Sequence, residues 1–140
     1  MLRWLIFLIF AAPLTSAAHA ARTAELGPTR GVVERVVDGD TVRVRVAIWI
    51  DQELSVAVRV ADIDAPELFR PKCIAEKQMA RQAKTFVENF LGDGEVMLFG
   101  IEQGKYAGRV VARIEAHGAD LGAALVAAGL AVDAHKGNWC

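Results

Sequence analysis

The segment Thr41-Val42-Arg43-Val44-Arg45-Val46 alternates without interruption, valine at every second position and Thr41, Arg43 and Arg45 between. A strict period of two sends successive side chains to opposite faces, so this stretch predicts a strand with a valine face inward and an arginine face outward. Downstream, Leu54, Val56, Val58 and Val60 repeat the alternation against Ser55, Ala57, Arg59 and Ala61. Asp51-Gln52, between the two strands, reads as a tight hairpin turn. Upstream, Val32, Val33, Val36 and Val37 form a β-branched run that starts at Gly31 and ends at Asp38-Gly39-Asp40.

The period then changes. From Ile74 to Leu91, apolar residues recur three or four apart at Met79, Ala83, Phe86, Val87 and Phe90, which predicts an amphipathic helix stopped by Gly92. Two further strands are expected near Glu95–Ile101 and Gly108–Ala116, with a loop at Gln103–Ala107. Asp120 is placed to cap a last helix, Leu121–Ala128, which Gly129 ends. This order predicts a mainly β (α+β) fold: a five-stranded OB-type Greek-key barrel, a long helix inserted after strand 3, and a short C-terminal helix.

Before the barrel, Arg3 precedes the apolar run Trp4 to Leu14, and small residues lead to Ala18-His19-Ala20. That is the layout of a secretory signal peptide, expected to be residues 1–20 and to be cleaved after Ala20. Pro13, Thr15 and Ser16 break the run short of the roughly 20 apolar residues a membrane span needs. The expected location is therefore periplasmic or secreted, without stable membrane association once the leader is gone. Residues 21–30 read as a flexible arm carrying Gly27-Pro28, and 31–140 as the domain. Two cysteines, Cys73 and Cys140, are expected to pair in an exported chain, with two free thiols as the alternative.

Without Arg3 the mature chain carries 15 basic and 17 acidic groups. Proteins that grip nucleic acid through its phosphates are usually basic, so any hold on a polyanion here must come from a few concentrated groups. Those groups are identifiable. Asp38-Gly39-Asp40 and Asp62-Ile63-Asp64-Ala65-Pro66-Glu67 each look like turn chemistry when taken alone. Together they put carboxylates at the ends of different strands of one small barrel. Such groups repel unless a cation sits among them, and an all-oxygen set suits calcium or magnesium rather than zinc. Arg59 and Arg109, near the same strand ends, are natural forks for phosphate oxygens.

These motifs, Val36-Val37-Asp38-Gly39-Asp40-Thr41-Val42, Arg59-Val60-Ala61-Asp62-Ile63-Asp64-Ala65-Pro66-Glu67 and Lys105-Tyr106-Ala107-Gly108-Arg109, resemble the signature of the thermonuclease (staphylococcal-nuclease-like) family over roughly residues 31–135. The resemblance implies a calcium-dependent endonuclease acting on DNA and RNA with little base specificity and leaving 3′-phosphate products. It implies that Asp40, Asp64 and the carbonyl of Ala65 hold the metal, and that Glu67 activates or positions the attacking water. Arg59 and Arg109 would hold the phosphate, and Lys105 and Tyr106 would contact substrate. Two residues depart from the pattern: Gly104 stands where the family carries an acid, and Ala107 is an extra residue before Gly108-Arg109. A nucleotide-holding tyrosine of the family falls at His135. A monomer is expected. The alternative is a catalytically silent OB module that binds nucleic acid or a protein partner. Retention of all five charged site residues in one chain favours the enzyme.

Overall fold

A computed structural model describes residues 26–133 and 137–140. The leader and His135 lie outside the described residues. Five long elements make the barrel: β1 (Thr29–Val36), β2 (Thr41–Trp49), β3 (Gln52–Val60), β5 (Glu95–Gln103) and β6 (Arg109–Ala116). Short strands β4 (Ile63–Asp64), β7 (Ala119–Asp120) and β8 (Val132–Asp133) trim its ends. The sheet runs β3-β2-β1-β5-β6-β7, and a parallel pairing of β3 with β6 closes it. The result is a closed, mixed five-stranded barrel of OB type, with α1 (Ile74–Leu91) after the third strand and α2 (Leu121–Ala127) near the C-terminus.

The valine alternation does what its period requires. Val42, Val44, Val58 and Val60 are at most 1 % exposed, and they meet Leu98, Ile114, Leu121 and Leu125 in one core. Arg43, Arg45, Ala57 and Arg59 face outward. α1 spans the residues expected of it, but its most buried stripe is Glu76, Ala80, Ala83, Val87 and Leu91. Met79, Phe86 and Phe90 flank that stripe half-buried, and the two rings stack 6.2 Å apart. Small alanines on the inner line let the helix approach the barrel closely. Gly39 sits at that contact: a Cβ there would come within 2.7 Å of Ala83 Cβ.

Two boundaries differ from expectation. The hairpin turn is Ile50-Asp51, because Trp49 and Gln52 still pair, and Asp51, its second residue, takes a positive φ of 57°. Thr29 and Arg30 belong to β1, and Leu26 already bridges to Ile101, so backbone pairing reaches into the segment expected to be an arm. Trp49 and Ile50 form an exposed tip.

Cys73 and Cys140 are bonded, their Cα atoms 6.0 Å apart. Cys73 is also the N-cap of α1, its sulfur accepting from the Glu76 N–H at 3.4 Å. The bridge therefore fixes the chain terminus to the start of the helix. No helix among the described residues is long and apolar enough to cross a membrane.

Candidate active site

The turn Asp38-Gly39-Asp40 joins β1 to β2 and is closed by Val37 and Asp38 N–H groups donating to the Thr41 carbonyl at 2.9 and 3.2 Å. This turn brings Asp40 to the barrel rim, where only 6 % of it is exposed. Thr41 pairs with Arg59 across the β2–β3 ladder, so register alone sets Arg59 beside Asp40. Past the end of β3 the chain reverses at Asp62, which takes a φ of 58°, and β4 returns Asp64 to the same rim.

The guanidinium of Arg59 occupies the space between the two carboxylates. Its Nη1 donates to Asp40 Oδ2 at 2.5 Å, and its Nη2 reaches the Ile63 carbonyl at 3.3 Å and Asp64 Oδ1 at 3.5 Å. The remaining carboxylate oxygens have partners of their own. Thr41 Oγ1 donates to Asp40 Oδ1 at 2.8 Å, and the Gly137 N–H donates to Asp64 Oδ2 at 2.9 Å. Aspartates 24 positions apart thus share one cation.

Asp40, Arg59, Asp64, Ala65, Glu67 and Arg109 line a single cleft of about 460 Å³. Every catalytic and metal position anticipated from sequence is therefore at this rim. Lys105 and Tyr106 are not in the cleft; they stand on the adjoining turn, the ammonium 5.7 Å from the ring centroid. Asp62 turns away into a separate hollow with Leu26, Phe99 and Arg113.

The departures Gly104 and Ala107 are accommodated in the turn before β6. The Gly104 N–H donates to the Arg109 carbonyl at 2.9 Å, and a Cβ on Gly104 would lie 2.6 Å from that oxygen. Glycine is required by this close approach. The longer turn passes over it, Gly108 with a φ of 74° returns the chain to the ladder, and Arg109 still faces the cleft.

Contacts within the cleft add partners that the motifs alone did not carry. Glu76 is 4 % exposed, and its carboxylate accepts from the Glu67 N–H at 3.2 Å and from the Lys72 N–H, tying the Glu67 loop to the first turn of α1. Glu67 Oε1 accepts from the Phe69 N–H at 3.0 Å while the side chain stays exposed. Trp139 lines the cleft with its ring against Gly137. Asp38 lies behind Asp40; burial first, and the neighbouring Asp40 charge second, raise its pKa to about 6.

The Asp40 and Asp64 carboxylates are hard oxygen donors of the kind a divalent cation takes, but Arg59 occupies the space between them, so a cation bound there would take over its contacts. Among the described residues no three acidic, histidine or cysteine side chains form a complete cage, so water or substrate oxygens would complete the shell.

No curated protein matches the chain. The family model described as staphylococcal nuclease homologue matches residues 57–138, a segment holding Arg59, Asp64, Glu67 and Arg109, while Asp40 joins them from β2. With the barrel, the inserted helix and the rim cleft in place, the match decides the question of kinship: this chain belongs to the staphylococcal nuclease homologue family.

Proposed function

We propose that this protein is an exported, calcium-dependent phosphodiesterase that cleaves DNA or RNA with little base preference. One observation carries the reading: two aspartates, two arginines and a glutamate, from four separate segments, face one cleft. Acids that attract a cation next to arginines that attract an anion describe phosphoryl transfer better than a structural role.

Asp40, Asp64 and the Ala65 carbonyl would hold calcium, which when bound supplies positive charge against a phosphate oxygen. Arg59 has five N–H groups, and those not used by Asp40, Asp64 and the Ile63 carbonyl can meet a phosphate oxygen. Arg109 approaches from β6, so the two forks hold the phosphate from different strands. Glu67 is exposed at the mouth, where its carboxylate takes the proton of the attacking water. Cleavage of the bond from phosphorus to the 5′ oxygen releases a 5′-hydroxyl and leaves a 3′-phosphate. Arginine charge balances the charge that builds on the non-bridging oxygens.

The protein acts as a monomer in the periplasm or outside the cell; the leader-like residues 1–20 support export. The disulfide agrees with an oxidising compartment. The test is hydrolysis of labelled single-stranded DNA and RNA by the wild type and by Glu67→Gln, with end-group analysis of the products. Loss of most of the rate in Glu67→Gln with unchanged melting supports the reading. Binding without cleavage in the wild type supports the silent OB module instead.

A further inference from the structure

The barrel carries a row of arginines that the catalytic cleft does not explain. Strand register places Arg35 of β1 opposite Arg43 of β2, Arg43 opposite Ala57 of β3, and Ala57 opposite Arg109 of β6. Residues directly opposite one another in a ladder point to the same face. Arg43 and Ala57 alternate with fully buried valines, so that face is the outer one. At about 4.8 Å between strands, the row runs roughly 14 Å from Arg109, in the cleft, to Arg35.

These arginines are distinguished from their neighbours by their partners. Arg45 pairs with Glu53, Arg59 with Asp40 and Asp64, and Arg113 with Glu115 and Asp120. Among the described residues, Arg35, Arg43 and Arg109 make no ion pair. Arg43 has only a long 3.4 Å bond to Ser55 Oγ, whose own hydroxyl donates to Glu34, and its Nε is buried without a hydrogen-bond partner. A buried N–H without a partner, such as the Arg43 Nε, carries a cost that a visiting anion would relieve. Ala57 keeps the centre of the row low, and Tyr106, 60 % exposed, flanks the Arg109 end. Arg35 also lines a separate hollow with Lys84 and Glu88.

We infer that the row Arg35–Arg43–Arg109 is a track for the phosphate backbone of a single-stranded nucleic acid, leading the chain across β1, β2 and β3 into the cleft. The outer face of the second and third strands is where OB barrels hold such strands, by charge along the backbone and an aromatic for the bases. The track accounts for polymer binding by a protein with no basic surplus: the needed charge is confined to one line. The inference takes its ligand class from the phosphodiesterase reading but does not depend on catalysis.

The experiment measures binding of an oligothymidylate of about 12 nucleotides in chelator, across a salt series, for the full protein. Arg35→Gln with Arg43→Gln is expected to weaken binding about tenfold at low salt. It should also lower the slope of log affinity against log salt by about 1.4, two phosphate contacts at about 0.7 each. Lys77→Gln with Arg81→Gln, both exposed on α1, gives the same charge change off the track and should leave the slope in place. An unchanged slope in the Arg35→Gln, Arg43→Gln variant, an equal loss in the Lys77→Gln, Arg81→Gln variant, or tighter retention on anionic lipid vesicles than on the oligonucleotide overturns the inference. Melting temperatures confirm folding, and Arg43→Lys, which keeps the charge, should bind within about threefold of wild type. Intact binding without hydrolysis counts against the enzyme and leaves the track standing; hydrolysis with an unaltered slope does the reverse.

Discussion

Arg59 Nη1 and Nη2 bridge Asp40 Oδ2 and Asp64 Oδ1, so one guanidinium serves as counter-charge to both carboxylates at the barrel rim. Asp40 is nearly buried, and removing its counter-charge leaves a poorly solvated anion facing a second one. Arg59→Ala should therefore cut the hydrolysis rate on the order of 100-fold or more, as loss of a transition-state donor does. Its melting temperature in chelator should also fall, and calcium should raise that temperature more than it does in the wild type. Calorimetry with and without calcium checks the second point.

Asp38 supplies a pH dependence. Its pKa is raised from 3.8 to about 6 by burial and by Asp40, so the folded state holds this proton more tightly than the unfolded chain does. The folded state binds more protons between those two values, so the stabilising contribution is complete below about pH 3.8 and is lost as pH rises to about 6. In Asp38→Asn the neutral amide can still accept the Asp40 N–H, now at 3.1 Å from Asp38 Oδ1. Denaturant melts in chelator should show this variant more stable than wild type at pH 7, with the advantage shrinking toward pH 4.

The Gly104 contact is a steric requirement. Gly104→Asp restores the residue type of the family motif yet drives a Cβ toward the Arg109 carbonyl. The expected outcome is a loss of activity of about tenfold or more from a displaced Arg109, with a smaller fall in stability, since the turn is exposed. Steady-state kinetics beside thermal melts separates the two effects.

The disulfide ties the segment holding Gly137 and Trp139 to the helix cap. Closing a loop with 67 positions between its cysteines is worth roughly 4 kcal/mol in the chain-entropy model. Cys140→Ser should lower stability by about 2–4 kcal/mol. It should also slow hydrolysis, because Asp64 loses a fixed Gly137 N–H donor. Reductant should produce the same two changes in the wild type and neither in the variant.

How far the sequence could be read follows from the range of each interaction. Period-two valines and period-3.6 apolar residues are local, and they gave the barrel strands and the bounds of α1. The acidic and arginine motifs lie at strand ends, so a correct topology was enough to bring Asp40, Arg59, Asp64, Glu67 and Arg109 to one rim. Glu76 resembled any polar residue on a helix; its role arises because the Glu67 loop folds back over the first helical turn. The Cys73–Cys140 bridge was expected, but that it sets Trp139 and Gly137 at the cleft is a long-range consequence no local pattern encodes. The arginine row depends on the β1–β2 bulge between Val33 and Arg35, which sets Arg35 opposite Arg43, and bulges leave little trace in an alternating pattern.

The most direct test incubates the purified protein with end-labelled single-stranded DNA in calcium and, in parallel, in excess chelator. Cleavage in calcium to fragments ending in 3′-phosphate, with none in chelator, is the predicted result. Cleavage at equal rates in both, or intact DNA in both, would contradict the account.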